Sequence, residues 1–110
     1  MTKSELKNNI KNNGYQLIDK IFDTNMIQDK MCNGLAKTIL NANINKYDTM
    51  LDMITDESGH INVDEIINMI PENISMDLEE YANRFDIPKW MLPNKIILIS
   101  REDIIQIIKG

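Results

Sequence analysis

The chain has 110 residues, of which 43% are hydrophobic and 26% charged, with a formal net charge of −5; this is enough apolar material for one core without cross-links and argues against extended disorder. No apolar run approaches the roughly 18 residues of a membrane span, and no signal-peptide pattern opens the chain. Cys32 is the only cysteine, which excludes an internal disulfide, so a cytoplasmic single domain spanning residues 1–110 is expected.

Thr2 and Glu5 have the spacing of a capping box, and Met1 and Leu6 that of its hydrophobic staple, so a helix begins here. Leu6, Ile10, Leu17 and Ile21 then recur near 3.6-residue periodicity, widened by Ile18 and Phe22. Gly14, beside Asn12 and Asn13, is a point where this helix bends or splits. Asp23, Thr24 and Asn25 are cap residues for a second helix carrying Ile27, Met31, Leu35 and Ile39. The Asn-rich stretch from Asn41 to Asn45 reads as a short connection. Beyond it Ile44, Tyr47, Leu51 and Ile54 form the seam of a third helix.

Thr55 to Gly59 reads as a turn, Asn62 with Glu65 caps a fourth helix, and Pro71 ends it. Ile74, Met76 and Leu78 alternate as in a half-buried strand, whereas Leu78, Tyr81 and Phe85 fit a helix; the expectation is a short strand running into a helical turn. Pro88 and Pro93 bracket Trp90 in a packed loop. Lys95 to Ile99 reads as a buried strand, and Ser100 caps a last helix with Ile104, Ile105, Ile107 and Ile108. A lone strand leaves backbone groups unpaired, so Ile96–Ile99 needs either Ile74–Leu78 or the same segment of a second molecule. The fold class is therefore α+β, mainly α: four N-terminal helices packed with a small C-terminal two-stranded sheet and a terminal helix.

Twenty isoleucines against one valine, and fourteen asparagines, are what adenine- and thymine-rich codons produce, so placement rather than abundance carries the functional reading. The run from Asp56 through Ser58, Gly59 and Ile61 to Glu65 has the spacing of a calcium-binding EF-hand loop, but Ile54 stands at the first ligand position. The favoured reading is a turn in which Gly59 takes positive φ and Ile61 plugs the core. Cys32 and His60 lack any surrounding motif of nucleophilic catalysis. Cys32 is assigned to the core and His60 to an exposed turn. No phosphate loop, zinc-ligand cluster or nucleophile elbow occurs, so no catalytic residue, metal or cofactor is assigned and the chain is read as a non-enzyme.

Charge is distributed unevenly. Residues 1–46 carry seven lysines and four acids, whereas residues 47–94 carry two bases and eleven acids. The acidic block disfavours nucleic-acid binding. Lys3, Lys7 and Lys11 form one stripe at i, i+4 spacing, and Asp48, Asp52 and Asp56 another. The plain reading is two solvated helix faces. The functional reading adds Asp64, Glu65, Glu79 and Glu80 to the acidic stripe as a phosphate-like surface for a basic partner protein. Trp90 is the residue most suited to anchor a contact, and the internal methionines, Met50 and Met53 among them, suit either a core or an adaptable apolar surface.

The run from Thr55 to Asp64, followed by Leu92-Pro93-Asn94-Lys95-Ile96-Ile97-Leu98-Ile99, resembles small uncharacterised proteins of low-GC phages and prophages. The resemblance implies an accessory protein acting on another protein, and it brings no catalytic residue. The functional expectation is thus a small acidic protein-binding module, an inhibitor or adaptor of a host protein such as a basic nucleic-acid-processing enzyme, of anti-defence or anti-CRISPR type. Asp48, Asp52, Asp56, Asp64, Glu65 and Trp90 are its candidate binding residues. Two alternatives stand beside it: a protein that self-associates through the C-terminal strand or last helix, and a degenerate calcium-binding module.

Overall fold

The computed structural model describes residues 1–88, 90, 92 and 96–110. Helix α1, Lys3–Ile21, starts on the capping box read from the sequence: Thr2 Oγ1 accepts from the Glu5 amide and the Glu5 carboxylate accepts from the Thr2 amide. Gly14 does not split α1, which runs unbroken from Lys3 to Ile21. It is buried where α2, Ile27–Lys46, crosses, and a Cβ added there would lie 2.6 Å from Cδ2 of Leu40. The missing side chain lets the two helices approach closely, which outweighs the glycine's low helix propensity.

Two sequence expectations about α2 are corrected. Its N-cap is Met26, with no side-chain hydrogen bond, because the Asp23 carboxylate is used in the preceding corner, where it accepts from the Asn25 amide. The stretch from Asn41 to Asn45 is not a connection but the last turns of α2. Packing overrides the weak helix preference of asparagine: Asn41 donates from Nδ2 to the Tyr15 hydroxyl of α1, and the half-buried Ile44 extends the helix. Tyr47 alone then separates α2 from α3, Asp48–Met53.

Helix α4, Val63–Asn68, is capped by Asn62, whose Oδ1 accepts from the amides of Asp64 and Glu65. Strand β1, Asn73–Asp77, leads straight into α5, Leu78–Ala82, and then a 3-10 turn, Asn83–Phe85. Strand β2, Ile96–Ser100, pairs antiparallel with β1, with Ile74 opposite Ile99 and Met76 opposite Ile97. Ser100 caps α6, Arg101–Lys109, by accepting from the Asp103 amide. The α+β, mainly helical architecture is therefore as the sequence pattern implies. Met91, Pro93 and Lys95, which the sequence reading placed in the packed loop and at the head of the strand, lie outside the described residues.

The core has two parts. One gathers Ile18, Phe22, Cys32, Leu35, Ala36, Ile39, Leu78, Ala82, Leu92 and Ile97; the other gathers Leu6, Ile61 and Ile108, with Leu51, Val63, Ile66 and Ile104 packed around them. Helix α1 belongs to both, contributing Ile18 and Phe22 to the first and Leu6 to the second. The body is correspondingly long, 48 × 25 × 22 Å. Strand β2 is not the buried strand that its apolar run suggests: Ile97 is buried, but Ile96 and Leu98 are 60% and 70% exposed. A two-stranded sheet has only one covered face, and alternation places these two side chains on the other. Among the described residues no helix is long and apolar enough to cross a membrane.

Candidate functional site

The most distinctive surface lies around α3. This short helix buries none of its side chains. Only the half-buried Leu51 packs onto the second core part, so the helix lies on the surface. At 100° per residue, Tyr47, Met50, Met53 and Ile54 share one arc, and Asp48 and Asp52 share another. The apolar arc is open, with Met50 56% and Met53 82% exposed and Tyr47 and Ile54 over a third exposed.

The acidic arc faces α1. Lys3 Nζ lies 3.0 Å from Asp48 Oδ2 and 2.6 Å from Asp52 Oδ1, and Lys7 Nζ lies 2.7 Å from Asp48 Oδ1. Two members of each stripe, Lys3 and Lys7 with Asp48 and Asp52, therefore form one ion-paired seam between helices. Hydrogen bonds from Lys7 and Lys3 hold the Asp48 carboxyl below its ordinary pKa, and hydrogen bonds to Asp52 and Asp48 hold the Lys3 ammonium above its own. Lys11, the third member of its stripe, instead lies 6.0 Å from the Tyr15 ring centroid. A cleft of about 390 Å³ beside the seam is lined by Lys7, Asn8, Lys11, Asn41, Ile44 and Asn45, a set with donors in plenty but no carboxylate, thiol or imidazole.

Asp56 has a different task. Its Oδ1 accepts from the Ser58 amide, the Ser58 hydroxyl and the His60 amide at 2.7–3.0 Å, which lowers its pKa, the His60 amide being the main cause. Gly59 at φ +82° completes the turn, and Ile61 is buried behind it. The turn is pinned to the start of α1, since the Ile61 amide donates to the Met1 carbonyl and Thr2 bridges His60. Asp56, Ser58 and His60 are adjacent, with 3.0 Å from Ser58 Oγ to His60 Nδ1. They are ordered differently from a catalytic triad, in which the carboxylate orients the imidazole and the imidazole takes the serine proton. Here the serine hydroxyl donates to the carboxylate. Among the described residues no three carboxylate, imidazole or thiol groups are placed to hold one metal ion.

Asp64 and Glu65 lie exposed in the first turn of α4. Trp90 is 69% exposed, but two residues on Leu92 is fully buried in the first core part. The candidate residues thus divide: Asp48, Asp52, Asp56, Asp64 and Glu65 belong to the elements around the second core part, and Trp90 to the segment over the first. From 54 to 86 the chain carries nine acids against Arg84 alone. Among the described residues none of these acids is ion-paired. The pairing of the two stripes was missed in the sequence, although its signal was present as matching i, i+4 spacing with opposite sign.

Comparison with known proteins finds no match to this chain among family models, curated proteins or solved structures.

Proposed function

We propose that the chain is a protein-binding module whose surface around α3 receives a basic, amphipathic segment of a partner, so that it acts as an inhibitor or adaptor of that partner. The observation that carries this reading is the open arc of Met50 and Met53 on a helix that buries none of its side chains. Methionine is flexible and polarisable, and suits surfaces that adapt to an apolar helix face. The acids of residues 54–86 supply the charge that selects a basic segment and speeds its approach. Asp48 and Asp52, being paired with lysines, contribute less to that field than Glu57, Asp64 and Glu65. The partner class proposed as the source of such a segment is a basic nucleic-acid-processing enzyme of a host, the expectation that the sequence resemblance implies.

The test is a titration of the protein into a labelled helical peptide of lysine and leucine, followed by fluorescence anisotropy at low and high salt. Binding is expected to weaken with salt, to disappear for a glutamate–leucine peptide, and to fall by about tenfold or more when Met50→Ser and Met53→Ser are combined. No binding of the basic peptide, or equal affinity of the double variant, would reject the proposal.

A further inference from the structure

The Arg101 amide donates to the Glu72 carbonyl, which makes 72 and 101 a hydrogen-bonded pair at the end of the β1–β2 ladder. Such pairs alternate in an antiparallel ladder. With the observed register, 74 with 99 and 76 with 97 are hydrogen-bonded pairs, and 73 with 100, 75 with 98 and 77 with 96 are not. The amides of Ile96, Leu98 and Ser100 therefore point away from β1, toward an edge that no described backbone group occupies. The side chains of Ile96 and Leu98, on the outer face, are 60% and 70% exposed.

The two edges of this sheet differ. Strand β1 follows Pro71 and Glu72 and ends on Asp77, and a proline or a charge at an edge discourages further pairing. Strand β2 reads Ile-Ile-Leu-Ile-Ser, with no charge and no proline. Two acidic chains of net charge −5 can bring β2 against β2 with no charge inside the paired strands, whereas β1 against β1 carries the Asp77 of each copy into the pair.

We propose that two copies of the chain join through β2 in a twofold antiparallel pairing centred on Leu98. That centre obeys the alternation and overlaps the whole of β2: it sets Leu98 opposite Leu98 of the second copy and Ile96 opposite Ser100, so the outward-facing residues meet only one another. The Leu98 amides and carbonyls exchange hydrogen bonds, and each Ser100 amide donates to the opposite Ile96 carbonyl. The Ser100 carbonyl is left for α6, as an N-cap carbonyl should be. Ile96 and Leu98 of both copies then form one apolar row on the outer face of a four-stranded sheet, and the pairing is closed, giving a dimer rather than a filament. This contact is separate from the α3 surface, and its outcome is read without a peptide.

Sedimentation velocity across a roughly hundredfold range of concentration should show a monomer–dimer equilibrium. Leu98→Lys should leave only monomer with an unchanged helical circular dichroism spectrum, whereas Asn73→Lys on β1 should dimerise like the parent. Hydrogen exchange supplies the independent readout. The amides of Ile97 and Ile99 should be protected at every concentration, and those of Leu98 and Ser100 only when the dimer is populated. A monomer at all concentrations, open-ended assembly, a dimer indifferent to Leu98→Lys, or Leu98 and Ser100 amides whose exchange ignores concentration would each overturn the proposal.

Discussion

Two glycines show how one residue type is needed for different reasons. Gly59 sits at φ +82° with open space around its Cα, so a side chain there meets no neighbour but strains the backbone. Gly59→Ala is expected to destabilise the fold by about 1 kcal/mol, and Gly59→Asn by less, because asparagine tolerates the left-handed region better. Urea denaturation checks both; an alanine variant as stable as the parent would contradict the turn. This residue was legible in the sequence, because a glycine inside a polar run has a local meaning. Gly14 was not, because its reason is Leu40 on another helix. The asparagines divide in the same way. Their number alone says nothing of structure, yet Asn9 and Asn13 donate to the carbonyls of Ile108 and Ile107, satisfying acceptors that the end of α6 leaves open. Only the packing of α6 on α1 reveals that role.

At the scale of elements, the ion-paired seam between α1 and α3 makes stability depend on pH at both ends of the range. The Asp48 pKa is lowered in the fold, so its contribution is present above the unfolded carboxyl value of about 3.9 and is lost as pH falls through the lower folded value. The Lys3 pKa is raised, so its contribution is present below the unfolded value of about 10.4 and is lost as pH rises through the higher folded value. Melting temperature should form a plateau at intermediate pH and fall on either side. Asp48→Asn combined with Asp52→Asn should lower the plateau slightly and soften both falls, an effect that salt diminishes because the groups are exposed. A pH profile unaltered by the double substitution would show that the seam adds nothing. Elements with a strong local signal were legible: the Thr2 box, the Ser100 cap and the passage from β1 into α5. The length of α2 and the outward face of β2 were not, since both are set by what packs beside them.

At the scale of the molecule, α1 ties the two core parts together. Leu6 and Leu78 are both fully buried, one in each part. Leu6→Ala and Leu78→Ala should each cost about 2–5 kcal/mol, and each should move a single unfolding transition seen alike by helical ellipticity and by Trp90 fluorescence. Separate transitions for the two probes would mean that α1 does not couple the parts. The same helix constrains how the protein can be made. Leu6 finds its cover in Ile61 and Ile108, and Asn9 bonds the Ile108 carbonyl. During synthesis α1 emerges before α6 and therefore keeps the Leu6 end of its apolar stripe open until residue 108 has followed. The interval before that contact closes is when the nascent chain most needs shielding from its neighbours.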